Sequence, residues 1–545
     1  MNYITNPILP GFHPDPCICK QGEEYYIAVS SFEWFPGIPI FHSKDLKHWK
    51  LITHGLNNNT LADLRRLPSA KGVWAPCLTW CKEDGLFYLM YSIMNSMNAR
   101  FFDVDNYLIT APSIYGPWSE PVFIHSAGFD PSMFHDEDGR KWVTSLEWET
   151  REGYHKPGEI CIVEYDKEIK HIVGTPKRIW RGGTRRGCIE GPHMYKRNGF
   201  YYLMCAEGGT GYGHSVTVGR SKDILGPYES DPCNPILTST PDFDEMDNDD
   251  ATKPNRYNPD SYLQKSGHGS IVETNLSEIY MVHHCGRPFL PDLRCTLGRE
   301  TCIQKMNWTK EGWLRLEGEN NYAKTQVVPS ELPQHSWQEE PVREDFNSST
   351  MPINLYSPRI DYHEFISLTE RNGYLRIRGQ ESMSSLNRTS LIARKLTSLN
   401  VCITTKMDFI PEVYQQYAGM LIYYDNMDYI MLRKTYSNSI VGSVIDLLRV
   451  KNGERIELLK KAIPVRDESI YFRIIIRNRE TRFFWSMNGD DYAQIGDSCD
   501  TSEFSDEFCK HGEFTGTFIG IGCVDALLHE KCAYFDFLDY QILPI

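Results

Sequence analysis

The chain lacks a basic N-terminal cluster followed by an apolar run: its first sixteen residues read MNYITNPILPGFHPDP. A secretory leader needs both features, so none is visible. No apolar stretch reaches the roughly 20 residues that take a helix across a bilayer. Helical spacing of apolar residues is scarce as well, which points away from helix and toward an all-β chain. Positive charge is in short supply: 57 Lys and Arg face 72 Asp and Glu, for a net charge of −15. Nucleic acids and anionic membranes demand a basic face, so neither is expected as a partner. Cysteine is plentiful, yet its sixteen copies lack the paired spacing of a zinc site. Cys17-x-Cys19, Cys77-x₃-Cys81 and His283-His284-Cys285 are therefore read as structural. Many cysteines sit inside apolar segments (Cys17, Cys19, Cys161, Cys205, Cys402), which reads as reduced thiols and a cytoplasmic location.

What the chain does have is repetition. Five segments share one pattern, a short apolar stretch, a polar turn and an aromatic-rich stretch: Pro16–Ser30, Pro76–Ser92, Pro131–Leu146, Pro192–Ala206 and Gly269–His284. Turn pairs such as Asp84-Gly85, Asp138-Gly139 and Asn198-Gly199 mark each as a β-hairpin. The copies recur every 55–80 residues or so, which suits one four-stranded propeller blade with its loops. Directly ahead of the copies stand Asp15, Trp74-Ala75, Asp130, Glu190 and His268. In a propeller such positions gather around one axis, so three carboxylates, a Trp and a His are expected in a single pocket.

A length of 545 residues calls for two domains. The blades occupy 1–325, a Pro- and charge-rich stretch at 326–344 forms the boundary, and 340–545 reads as further strands without the repeat. The expectation is an all-β chain, a five-bladed β-propeller followed by a β-sandwich. The acidic segment 241–260 reads as a solvated surface loop.

Asp15, Asp130 and Glu190 each lie beside small or apolar residues at strand starts, where an unpaired buried carboxylate is costly. Glycoside hydrolysis is the chemistry that needs paired carboxylates of unlike proton affinity, one protonated to help the leaving oxygen and one ionised to drive attack at the anomeric carbon. A third carboxylate near the acid raises the acid's pKa by like-charge repulsion. On chemistry alone, inverting and retaining routes both stay open.

The motifs NPILPGFHPDP (6–16), SSFEWFPGIPIFHSKDLKHW (30–49), GVWAP (72–76), GFDPSMFHD (128–136), EGPHMY (190–195), AEGGTGYGHS (206–215), GHGS (267–270) and LGRET (297–301) together resemble glycoside hydrolase family 43, and within it the two-domain β-xylosidases. The resemblance covers essentially the full length. It implies a five-bladed propeller with a concanavalin-like β-sandwich and an inverting reaction, with Asp15 as general base, Glu190 as general acid and Asp130 tuning and positioning the acid. Inversion requires a base-to-acid separation of roughly 6.5–9.5 Å, wide enough for water. Substrate-binding residues implied by the same match are Phe32, Trp74 and Trp148 as pocket walls, Thr210 as a hydroxyl contact, Arg299 as the guanidinium holding sugar hydroxyls, and Phe514, in a Gly512–Gly516 loop that the sandwich sends over the pocket mouth. His268 is placed beside the substrate or as ligand to a central cation, often calcium, with no cofactor required for the chemistry; a structural His is the alternative. Relatives commonly read Trp-Ala-Pro-Asp where this chain has Cys77, which leaves one second-blade polar contact in doubt.

A closed pocket implies removal of single xylose units from the nonreducing end of short β-1,4-xylo-oligosaccharides. The alternatives are an α-L-arabinofuranosidase or a bifunctional xylosidase/arabinofuranosidase acting on arabinofuranosides, and, further off, a non-catalytic sugar-binding propeller. The same resemblance allows a homodimer or homotetramer, as relatives often form, while the sequence itself selects no oligomeric state.

Overall fold

The computed structural model describes residues 3–154, 158–240, 256–318, 320–511 and 514–544. Of the sequence features noted above, most of the acidic segment (241–255) and Gly512-Glu513 lie outside the described residues.

All five hairpins form, and each belongs to a separate four-stranded antiparallel sheet. The innermost strands of blades 1 to 5 are Cys17–Gln21, Gly72–Cys81, Ser132–His135, Glu190–Arg197 and Gln264–Glu273. A short additional strand, Leu237–Thr238, joins the fourth sheet. Asn198 and Gly199 both take positive φ, at 51° and 75°, the twist that a two-residue hairpin turn requires. The N-terminal segment closes the ring: Ile4–Thr5 pairs with Gln326–Val327, and the His13 amide donates to the Arg299 carbonyl at 2.9 Å. Asn6 fastens it further, its side chain both donating to and accepting from the backbone of Ile303.

One position in every blade has left-handed backbone: Asp15 (φ 53°), Ala75 (36°), Asp130 (55°), Gly191 (56°) and His268 (55°). In three blades the strand pairing slips at this point, between Trp74 and Cys77, Glu190 and His193, and Gly267 and Ser270. Such bulges re-aim side chains at barrel rims and active sites. The register refines the repeat read from sequence. Gly191, not Glu190, is the fourth-blade counterpart of Asp15 and Asp130, and Glu190 stands one residue earlier, in line with Trp74 and Phe129.

The second domain is a sandwich of an eight-stranded and a seven-stranded sheet. Between them lies an apolar core that includes Ile403, Phe472, Ile474, Phe535, Ile422, Ile430 and Ile521. The two domains are not beads on a string. Trp34–Phe35 of the propeller pairs with Ser357–Pro358, and the Trp34 ring stacks on Phe518 at 3.7 Å and 12°. A single apolar cluster contains Phe12, Phe32, Trp34 and Trp74 from one side and Tyr356, Leu391, Tyr423 and Phe518 from the other. Two buried ion pairs cross the same interface, Lys265 with Glu507 and Glu33 with Arg359, and Arg359 Nε also donates to the Leu67 carbonyl at 2.6 Å.

Candidate active site

Asp15 emerges from the chain just before Pro16, in a left-handed conformation that Asp tolerates better than most side chains. Its carboxylate is buried and fully engaged. Oδ1 accepts from Arg299 Nη1 at 2.7 Å, and Oδ2 accepts from Ser30 Oγ, also at 2.7 Å. The Ser30 hydroxyl in turn accepts from the Ala75 amide, so Asp15 is oriented by two blades at once. His284 Nδ1 approaches Oδ1 to 3.3 Å and His268 Nδ1 to 3.8 Å. Burial alone would raise the pKa of Asp15, but the Arg299 guanidinium, with His284 and His268, holds it well below the usual carboxylate range. Asp15 is therefore an anion across the working pH range.

Asp130 and Glu190 experience the opposite balance. Burial, then the negative charge of Asp15, pushes Asp130 up to about 8 against the opposing Gly191 amide and Arg299. Burial and the charges of Asp130 and Asp15 drive Glu190 well above the carboxylate range, with Arg299 opposing. Asp130 Oδ2 accepts from the Gly191 amide at 2.9 Å, which ties it to the residue that follows Glu190. Glu190 is the partly exposed member of the trio, and no described residue hydrogen-bonds its carboxyl group. The arrangement thus holds one ionised carboxylate on an arginine beside a carboxyl pair that shares a raised proton affinity.

The raised pKa of Asp130 also bears on stability. A native pKa near 8 against about 3.9 in the unfolded chain means that the native state binds more protons between those values, so stability falls as pH rises through that window. Asn at position 130 can still accept from the Gly191 amide but carries no charge. Asp130→Asn is expected to be more stable than the parent by something on the order of 2–4 kcal/mol at pH 7, with little difference near pH 4, while losing most activity. Thermal unfolding of both proteins across pH 4–8 checks this; a difference that does not grow with pH contradicts it.

Arg299 is the hub of the pocket. Besides Asp15, its Nη1 donates to Thr210 Oγ1 at 2.9 Å and its Nη2 to the Phe514 carbonyl at 3.3 Å. Its guanidinium lies 5.7 Å from the Phe32 ring centre and 5.8 Å from that of Phe514, and its Nε has no partner among the described residues. Thr210 is therefore an acceptor for Arg299. The sandwich reaches the pocket through Phe514, whose carbonyl it lends to that arginine.

The aromatic side of the pocket is a chain of edge contacts. Trp74 meets Phe32 at 5.9 Å, Phe129 at 5.6 Å and Phe514 at 6.4 Å, all near perpendicular. Trp148 continues the chain, 6.0 Å from Phe129 and stacked at 3.7 Å on Phe102. Phe32 is only 1% exposed and is sandwiched against Phe12 at 5.3 Å, so it backs the wall and does not form its surface. Sequence reasoning missed Ser30, His284, Phe129 and Phe102. Ser30 and Phe129 stand inside the quoted motifs, but their roles depend on partners far away in the chain. His284 stood out only in the His283-His284-Cys285 run, which reads as structural, and not as a partner of Asp15.

His268 has Asp15, His193, His284 and Gly191 as neighbours, the rings 6.4 and 5.9 Å away. Among the described residues, Asp15 is the one carboxylate within 4 Å of it, and that group is already taken by Arg299 and Ser30. Calcium takes six to eight oxygen ligands, so this nitrogen-rich set does not fit it.

The chain matches two family descriptions, "Glycosyl hydrolases family 43" over residues 4–314 and "Beta xylosidase C-terminal Concanavalin A-like domain" over residues 343–541. It is 39% identical to a β-xylosidase of Bacillus subtilis and 32% identical to a non-reducing end α-L-arabinofuranosidase of Bacteroides ovatus, covering 99% of this chain in both cases and 99% and 95% of those proteins. The crystal structure of a xylan β-1,4-xylosidase from Bacillus halodurans superposes with a TM-score of 0.93 at 41% identity, covering 99% of this chain and all of that one. By sequence over its whole length and by fold, the chain belongs to glycosyl hydrolase family 43.

Proposed function

We propose that the protein is an inverting, exo-acting β-xylosidase that releases xylose from the nonreducing end of short β-1,4-xylo-oligosaccharides. The observation that carries the reading is the opposed setting of its carboxylates, Asp15 held low by its bond to Arg299 and Glu190 driven up by burial and by Asp130 and Asp15. In the reaction Glu190 gives its proton to the glycosidic oxygen as the bond to the anomeric carbon breaks. Water adds to the opposite face of that carbon and loses a proton to Asp15. Asp130 keeps Glu190 protonated and, through the Gly191 amide, holds the strand that presents it. Arg299 keeps Asp15 anionic through its Nη1 and lies beside the place the sugar would occupy. Trp74, Phe129 and Phe514 supply apolar surface for a pentose ring.

Similarity to β-xylosidases over the full length supports xylose as the sugar released. The Bacteroides relative supports arabinofuranoside hydrolysis as the second reading. Rates on an aryl β-xyloside and an aryl α-L-arabinofuranoside separate the two, with the xyloside expected to react faster. Proton NMR of the first-formed product tests the route: α-xylose is expected from a β-xyloside, and β-xylose appearing first would overturn inversion. Sixteen cysteines without a disulfide among them support placing the enzyme in a reducing compartment, the cytoplasm.

A further inference from the structure

A second ring of side chains lies two residues beyond the left-handed position of each blade: Cys17, Cys77, Ser132, His193 and Ser270. Each of these residues opens or continues the inner strand of its blade just after the first ring. The convergence of the second ring is visible in the contacts. Cys17 Sγ, Cys77 Sγ and a ring nitrogen of His193 all lie within 4.8 Å of one another, and Ser270 Oγ is 4.0 Å from Cys17 Sγ. All three donor residues are buried, and no described residue hydrogen-bonds to either nitrogen of His193. The two thiols come from separate sequence motifs on different blades, and the histidine from a third. Neither Cys17-x-Cys19 nor Cys77-x₃-Cys81 is itself the cluster; the fold takes one cysteine from each.

From this arrangement we infer that Cys17, Cys77 and His193 form a binding site for one thiophilic divalent cation of the zinc class, on the propeller axis. A tetrahedral zinc shell, with Zn–S near 2.3 Å and Zn–N near 2.0–2.1 Å, spaces its donors by roughly 3.3–3.8 Å. The three donor atoms lie within 4.8 Å of one another, about an ångström wider than that shell. Two sulfurs and an imidazole select zinc-like ions over calcium or magnesium, which prefer oxygen. Binding releases the thiol protons. The bound ion ties blades 1, 2 and 4 together across the axis. It acts as a structural clasp and takes no part in the hydrolytic step.

The test uses the full-length protein, reduced, stripped with a chelator and freed of it. Titration with Co²⁺ is expected to saturate at one ion per chain, with the near-ultraviolet absorption of a thiolate-to-cobalt transition. Zn²⁺ should displace it, and excess Ca²⁺ should not. Cys17→Ser/Cys77→Ser is expected to lose the band, and His193→Asn to weaken binding at least tenfold. Cys285→Ser/Cys302→Ser serves as the control, since these thiols form the other close pair, 3.1 Å apart in blade 5; it should bind like the parent. Absence of the band in the parent, its survival in the Cys17/Cys77 variant, its loss in the control, or displacement by Ca²⁺ would each overturn the site. Should the Cys17/Cys77 variant fail to fold, X-ray absorption on the zinc-loaded parent decides: a shell of sulfur and nitrogen supports the site, and a shell of oxygen and nitrogen alone refutes it.

Discussion

Glu190→Gln is expected to cut hydrolysis of xylobiose about 10⁴-fold in kcat/KM while leaving the fold intact, the upper end of what a positioned general acid supplies. The loss should depend on the leaving group. An aryl xyloside with an acidic phenol departs without a proton, so the same variant should retain far more activity on it. The pH profile gives an independent reading. In the parent, kcat/KM should be bell-shaped. Its acidic limb should report Asp15 and lie below the usual carboxylate range, because Arg299 holds Asp15 ionised. Its basic limb should lie above neutrality, because the Asp130 and Glu190 pair keeps its proton until the pH passes their raised pKa values. Activity is therefore lost on the high side as the acid deprotonates, and Glu190→Gln should remove that limb. A variant that keeps the parental basic limb, or loses equal activity on both substrates, would assign the acid elsewhere.

The second large effect concerns the sandwich. Ending the chain near Glu340 is expected to yield no soluble, active propeller. The cut would expose Phe12, Trp34 and their neighbours, which share one apolar cluster with Tyr356 and Phe518. It would also strip Lys265 and Glu33 of their partners Glu507 and Arg359, and it would remove the Phe514 carbonyl from Arg299. A milder probe is Arg359→Met, which strands the Glu33 carboxylate in the interface. Breaking a buried pair from one side costs about 3–5 kcal/mol, so unfolding should occur at visibly lower temperature with the pocket chemistry unchanged. Recovery of a folded propeller from the truncation, with parental rates on aryl xyloside, would contradict this account.

The legible parts of the molecule were those coded by neighbours in sequence. Turn pairs such as Asn198-Gly199 announce hairpins because the twist of a tight turn restricts which residues fit. The sandwich strands around Val401, Tyr471 and Tyr534 were visible for a similar reason, as runs of alternating or continuous apolar residues. Other strands were not. Phe518–Asp525 reads FIGIGCVD, and its glycines, which weaken a strand signal, are needed because neighbouring backbone comes close. A Cβ at Gly520 would sit 2.3 Å from the Ile392 carbonyl oxygen. In the pocket, the clustering of Asp15, Asp130 and Arg299 followed from the repeat and the motifs. The offset of Glu190 by one residue did not, since a bulge leaves no composition behind.

The sequence by itself determined that the chain is built from β-hairpins in a five-fold series, and which carboxylates stand at its strand starts. Both are local properties, set by turn geometry and by the oddity of acid beside apolar residues. Only the tertiary structure decided what each carboxylate does. Proton affinity depends on burial and on charges within a few ångströms, and those neighbours come from residues nearly 300 positions apart, as Arg299 does for Asp15. The same holds for Cys17, Cys77 and His193, which are unrelated along the chain and meet only because three blades turn their inner strands to one axis.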